Sequence, residues 1–533
     1  MIAVLRQQLR RDRVILSIWI LAIALTLLGS ASAVASEYGS AAERAAVLKI
    51  ALATPSLLAL RGNPNGSSAG SLLWFQLFTF LAVAVGLMNT FFATRHGRAD
   101  EEQGRRELLA ASPIRRMTPP ASAVVLGTAA NVVVGALSAG GLALVGYGGI
   151  GAILAGAALA AVGICFLGIG MLASELAATS RSANSIGVVA VLVAYTLRGA
   201  GDALGAPDFD SLSLTPAWPS WLSPIGWAQQ TLAFTDNRIW PILLPLVMGA
   251  LTIGAALVIH ARRDLGASLL SERAGRAAAR WSLRSSFGLD WRLHWPSLAG
   301  WAIGSALLGT AVGSLASALK GAVLENPQIA SVMQSLAPGQ HLDTVGLFIS
   351  TVMVMIGILA AAAGIQGVLR LRDEEANGRA ELLLSAPVSR RRWLADALGV
   401  GVIATVVVLV LSGLTTFASF AAAGGSDDGW RALGQAAIEL PAALVPVVAA
   451  ALLIAVVPRI STLAAWLLFA TAVVVGLFGS LMKLPQGVLN ASPFSNVPAV
   501  PVVDWGPSVI LMAVDVALAL AAVMLIRRRD LST

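Results

Sequence analysis

The feature that most constrains the fold is a recurrence of apolar runs, each about as long as a bilayer is thick. A hydrocarbon core of about 30 Å needs roughly 20 apolar residues as helix. Such stretches fall at 14–35, 72–94, 121–147, 149–172, 185–200, 240–260, 298–319, 343–369, 393–423, 436–457, 462–482 and 507–526. Only 12% of the 533 residues are charged, against roughly 25% in a soluble domain. That is too little charge to coat the surfaces of several water-soluble domains. The sequence therefore predicts an all-α polytopic membrane protein with about 12 transmembrane helices.

The net charge of +8 would suit nucleic acid if it were gathered on one face, but its distribution follows the loops instead. With the N-terminus inside, the inner segments hold 28 Lys and Arg and the outer ones 7, with Arg198 at a span end. By the positive-inside rule both termini are cytoplasmic, and the surplus marks topology and contact with anionic membrane lipid, not nucleic acid. Arg10, Arg11 and Arg13 before an apolar run, with Ala33-Val34-Ala35 after it, resemble a signal peptide; an anchoring span is the preferred reading. The single cysteine, Cys165, lies in an apolar run and reads as a small buried hydrophobe. The four histidines are scattered and predict no metal site.

The chain is written twice. Asp100-Glu101-Glu102-Gln103-Gly104-Arg105-Arg106-Glu107-Leu108-Leu109 returns as Asp373-Glu374-Glu375-Ala376-Asn377-Gly378-Arg379-Ala380-Glu381-Leu382-Leu383. Pro113 and Pro387 follow, then arginines. Ser223-Pro224 matches Ser492-Pro493, and Arg262-Arg263-Asp264-Leu265 matches Arg528-Arg529-Asp530-Leu531. Because six spans lie in each half, the halves are expected as two parallel six-helix repeats about an axis along the membrane normal. The expected domains are 1–265, a linker at 266–297 and 298–533. In the linker, Arg273, Arg276, Arg280 and Arg284 alternate with Trp281, Phe287, Leu289 and Trp291, which suits an interfacial helix or a solvated connection.

The repeated acidic-basic element is the most informative stretch. As continuous helix it would form the i,i+4 pairs Glu101–Arg105, Glu102–Arg106 and Glu375–Arg379, with Leu108-Leu109 and Leu382-Leu383 as an apolar patch. Such a helix suits docking; the plainer alternative is a loop whose arginines only set topology. One residue, Asn377, reads as an insertion before Gly378, and Ala380 replaces Arg106.

The pattern E-E-x(1,2)-G-R-x-E-L-L after the second span resembles the cytoplasmic coupling element of ABC-2 type exporter permeases. The doubled form, with Trp221-Leu222-Ser223-Pro224-Ile225-Gly226-Trp227 before the sixth span, is similar to the actinobacterial antibiotic and drug exporters of the tetronasin-transport type. The resemblance implies type V ABC-exporter-like transmembrane domains fused in one chain, and an exporter of hydrophobic drug, antibiotic or lipid-like molecules. It implies an ATP-binding cassette subunit in two copies, carrying ATP and Mg, with no cofactor in this chain. Its coupling residues would be Glu101, Glu102, Arg105, Glu107, Leu108 and Leu109, with Glu374, Glu375, Arg379, Glu381, Leu382 and Leu383. In agreement, no G-x-x-x-x-G-K-[ST] run occurs.

Polar and aromatic residues in the second and fifth spans of each half suggest a substrate path: Phe75, Gln76, Phe78, Asn89, Phe91, Tyr195, Gln366, Trp466 and Phe469, with Asn131 on a third span. Interhelical packing is the alternative for each. No acidic or basic residue reads as securely mid-span, which argues against a proton relay. Two other functions remain open: a secondary transporter of the major facilitator type, and a membrane-embedded enzyme, for which only Asp202, Asp208 and Asp210 form an acidic group.

Overall fold

The computed structural model describes residues 1–264, 266–270, 278, 281–325, 344–478, 485–498, 500 and 505–528. Contacts divide the chain into two compact units, Met1–Ala274 and Gly275–Thr533. Among the described residues, eleven helices are long and apolar enough to cross a membrane, and Ser461–Leu477 is a shorter apolar helix. Helix is the expected answer, since a lipid-embedded backbone must satisfy its own hydrogen bonds. The chain is an all-α multi-pass membrane protein of about 12 spans.

The first unit opens with α1 (Ile2–Glu37). The short helices α2 (Ala41–Leu52) and α3 (Pro55–Arg61) follow. A capping box fixes the start of α2, with Ser40 and Glu43 each bonding the other's backbone N–H. The second span, α4 (Ala69–His96), breaks at Gly97 into α5 (Arg98–Glu102) and, past Gly104, α6 (Arg105–Ala110). Spans α7 (Thr118–Leu144), α8 (Ile150–Leu176) and α9 (Ser180–Ala203) come next. A hairpin of β1 (Ala206–Asp208) and β2 (Ser213–Thr215), the short α10 (Pro224–Gln229) and the span α11 (Leu243–Arg262) complete the unit.

The second unit repeats this plan. Its spans are α12 (Ser286–Glu325), α13 (Thr344–Ala376), α15 (Arg390–Ala422), α16 (Ser426–Val456), α17 (Ser461–Phe478) and α19 (Gly506–Leu525). The short α14 (Arg379–Leu384) takes the place of α6, and α18 (Gln486–Leu489) precedes the last span. Phe287, Leu289 and Trp291 lie on α12 itself, which extends well ahead of its apolar run. Of the linker arginines, Arg273, Arg276 and Arg280 fall outside the described residues, as do Arg529, Asp530 and Leu531.

Within each unit the packing is the same. The fourth span, α8 or α16, lies against the second, third, fifth and sixth, and the first span lies against the second and third. The fourth span is therefore the core of each half. Small residues make this possible. A Cβ on Gly156 of α8 would lie 2.2 Å from the carbonyl oxygen of Gly135 on α7, so these two helices touch backbone to backbone. Peripheral α11 and α19 instead expose Val247, Leu251, Val509 and Ile510, as faces toward lipid do.

Candidate functional site

The acidic-basic element has one geometry in both halves. A helical turn carries an Arg–Glu pair at i,i+3, a glycine follows in the left-handed conformation, and a six-residue helix departs. The pairs are Arg98–Glu101 at 3.0 Å and Arg372–Glu375 at 3.2 Å. Gly104 and Gly378 have φ of +67° and +72°, which a side chain would strain. On the short helices, Arg106 and Ala380 are buried while Glu107 and Glu381 are exposed. Leu108 and Leu382 are 76% and 78% exposed. Leu109 and Leu383 are half-buried.

This geometry corrects two expectations. The pairs Glu101–Arg105, Glu102–Arg106 and Glu375–Arg379 do not form, because the left-handed glycine interrupts the helix between their members. Arg105 binds Asp100 instead, at 3.0 Å. Nor is Asn377 an insertion. From the Arg–Glu pair to the glycine the spacing is identical, so Glu101 matches Glu375 and Glu374 matches Asp100. In place of an insertion there is a further substitution beside Arg106 for Ala380, with Glu102 in the first half where Ala376 stands in the second.

Glu102 reaches the fifth span. It accepts the backbone N–H of Ser180 at 2.9 Å and also the Ser180 hydroxyl. A carboxylate there complements the N-terminus of α9. Glu101 is buried in a knot of charges that closes the same end of the first half. Arg263 donates to it at 2.6 Å and also pairs with Glu175 at 2.8 Å. His260 Nδ1 lies 2.9 Å from Glu175, and Arg106 lies 3.1 Å from His260 Nε2. A guanidinium only donates, so Nε2 accepts and the imidazole proton points at Glu175. Burial pushes the Arg106 guanidinium below its usual range, against the opposing pull of Glu101, Glu175 and Asp100. Arg98 closes the knot by donating to the Ala178, Gly266 and Ala267 carbonyls.

In the second half, Glu374 lies 4.0 Å from Arg370, and Arg379 and Leu382 line a crevice of about 370 Å³ with Asp290, Trp393 and Asp396.

The path residues are placed as follows. Phe75 and Phe78 are buried in the first half's core, where Phe78 stacks on Trp74. Gln76 is half-buried. Asn89 and Asn131 exchange side-chain hydrogen bonds of 2.9 and 2.8 Å between α4 and α7. Tyr195 donates to the Leu60 carbonyl, and Gln366 accepts from Ser297 and Trp301 of α12. Trp466 meets Phe469 edge-on. Phe91 is exposed beside a crevice at the α1 side of α4.

Three further features go beyond the sequence reading. Arg198 and Asp202 form a fully buried pair at 3.0 Å. The guanidinium also donates to the carbonyls of Leu58 and Ala59, the end of α3, while Gln229 and Ser220 donate to Asp202. Asp202 is thus a structural clamp, whereas Asp208 bonds the backbone of Asp210 and Ser211. The two Ser-Pro motifs share a role: Ser223 donates to the Ala194 carbonyl and Ser492 to that of Ala472, each on a fifth span.

The third feature is a correction. Glu439 lies inside α16, fully buried, accepting from Gln435 at 3.2 Å, and Asp515 lies buried midway along α19. The sequence set Glu439 at a span edge, but α16 begins ten residues earlier, at Ser426. Acidic residues do occur mid-span, so the sequence argument against a proton relay lapses.

The second half matches the family model described as the C-terminal domain of the multidrug efflux system permease Rv1217c, over residues 283–527. The whole chain is 33% identical, over 537 aligned residues, to the multidrug efflux system permease protein Rv1217c of Mycobacterium tuberculosis. That alignment covers 99% of this chain and 95% of the relative. Multi-span helical architecture and end-to-end similarity lead to one conclusion: the chain belongs to the family of multidrug efflux system permeases.

Proposed function

We propose that this chain is the membrane-spanning permease of an ATP-driven exporter of the ABC-2 type, worked by separate ATP-binding cassette subunits. The observation that carries this reading is the element built twice, α5–α6 and α13–α14, each with a leucine held out to solvent on a short helix behind a left-handed glycine. A single exposed leucine is ordinary, but the same leucine held out at the same place in both repeats is a surface that a partner would cover. The arginines around both elements favour the cytoplasmic side by the positive-inside rule, which is where ATP is available. No phosphate-cradling G-x-x-x-x-G-K-[ST] occurs in the chain, so ATP and Mg are assigned to the partner, in two copies, one per element.

Closure of the partner on ATP would push on Leu108 and Leu382 and switch the spans between inward and outward access. The cargo would be hydrophobic drug, antibiotic or lipid-like molecules, and the site the cell membrane. The relative's name, a multidrug efflux permease, supports that cargo class.

The test is co-expression with an ATP-binding subunit from the same source. The pair should co-purify and hydrolyse ATP, and the permease alone should not. ATP turnover by the isolated chain, or drug efflux in cells lacking every ATP-binding partner, would overturn the reading.

A further inference from the structure

The first half carries a crevice of about 490 Å³ that shares Arg105 with the coupling element but otherwise lies outside it. It lies between α1, α4 and α9, at the end of the spans that holds the N-terminus. One wall is apolar, made by Leu16, Trp19, Phe91 and Phe92. The rim is cationic, made by Arg11, Arg95 and Arg105.

The rim arginines are under-used. A guanidinium has five N–H donors in a fixed fork. Arg11 and Arg105 share one oxygen of Asp100, at 2.6 and 3.0 Å. Arg95 gives one bond to Asp12, at 3.1 Å, while the other oxygen of Asp12 meets His96 at 2.7 Å. Three guanidinium groups thus face two carboxylates. Buried Arg98, by contrast, donates through all three of its nitrogens. The rim side chains are 30 to 47% exposed, and most of their N–H donors have no protein acceptor among the described residues. Among the described residues of the second half, a crevice beside α12 and α14 is lined instead by Asp290, Glu374 and Asp396 against Arg379, a setting less suited to an anion.

We propose that the first-half crevice binds an amphiphile bearing one anionic group. The head is held by Arg11, Arg95 and Arg105, for which a bidentate carboxylate or phosphate is the matching shape. The tail runs along Trp19 and Phe91, beside the exposed Ile15 and Ile18 of α1. The ligand is either a free acidic amphiphile awaiting export or an anionic lipid of the same leaflet. The placement in the inner leaflet rests on the proposed orientation; the binding itself does not.

The full chain in nanodiscs of neutral phosphatidylcholine is titrated with dansyl-undecanoic acid, and separately with its amine-ended analogue. The acid should bind saturably and the amine at least tenfold more weakly. Arg105→Gln, at a half-exposed position, and Arg95→Gln should each weaken the acid tenfold or more. Arg95→Lys and Arg105→Lys, which keep the charge but lose the fork, should weaken the acid less than the glutamine variants do. Equal binding of both probes, or acid binding indifferent to Arg105→Gln at unchanged Tm, would overturn the proposal. Repeating the titration with phosphatidylglycerol in the disc separates the sources: displacement of the probe identifies lipid, and undiminished binding a free amphiphile. Failure of the ATP-binding subunit to co-purify would leave these outcomes intact and count against the exporter reading alone.

Discussion

Arg98 and Glu101 meet at 3.0 Å one turn ahead of Gly104, and Glu101 carries a second cation, Arg263, at 2.6 Å. A residue that reads as a surface charge is therefore a buried joint between the second and sixth spans of the first half. Its repeat, Glu375 with Arg372, sets the register between halves.

Glu101→Ala should destabilise the protein by about 3 kcal/mol, because it leaves buried Arg98 with only carbonyl partners and Arg263 with Glu175 as its remaining carboxylate. Glu107→Ala, at an exposed position on the next helix, should stay within about 0.5 kcal/mol. Thermal unfolding of the two purified variants in one detergent checks the contrast. Similar melting points would remove Glu101 from the joint.

Gly104→Ala and Gly378→Ala should each cost about 1–2 kcal/mol, since an L side chain is disfavoured at φ near +70°. Gly104→Asn should cost less, because asparagine tolerates the left-handed region. Both glycines face open space, so the loss comes from the backbone and not from a clash. Melting temperatures across the series read it out.

Leu108→Asp combined with Leu382→Asp should lower capture of the ATP-binding subunit tenfold or more and abolish drug efflux. The melting temperature of the chain alone should not move, as both side chains stand in solvent. Efflux at the parental rate in the double variant would return these helices to topology-setting loops.

Arg198→Ala should cost about 3–5 kcal/mol by leaving Asp202 buried and uncompensated. It also releases the end of α3, so protease cleavage between 206 and 239 should accelerate. Asp202→Asn, which keeps one acceptor oxygen for Gln229 and can turn its amide N–H toward the Ser220 hydroxyl, should be milder.

Gln103→Cys and Asn377→Cys, in a chain with Cys165→Ala, should react with impermeant maleimide only from the cytoplasmic side. Both positions are exposed, so accessibility does not limit the assay. Labelling from outside intact cells would reverse the orientation inferred from the arginines.

The spans were legible because an apolar run of membrane length admits little besides helix. The repeat was legible because its charges recur in order. The pairing of those charges was not. Glycine in the left-handed conformation turns the chain between Glu102 and Arg105, and sequence spacing on an unbroken helix cannot register that turn. Glu101 gave no sign of its burial, since its partner Arg263 lies far along the chain, in what read as a topology-setting cluster. Arg198 likewise read as a charge at a span end until Asp202, one helical turn on, proved to face it. Asp515 stood in plain view within an apolar run, where hydropathy averaged over a window masks one carboxylate.

The substitution of Ala376 for Glu102 makes the two halves unlike as mechanical parts. In the first, the element is strapped to the head of the fifth span through Ser180, so a load on α6 arrives at α9 along a stiff strut. In the second, Ala376 has no carboxylate to make that strap, and among the described residues α14 is tied to α17 through the packing of α13 against it. Under the proposed coupling, equal loads on the two elements would therefore reach the two fifth spans by unlike routes.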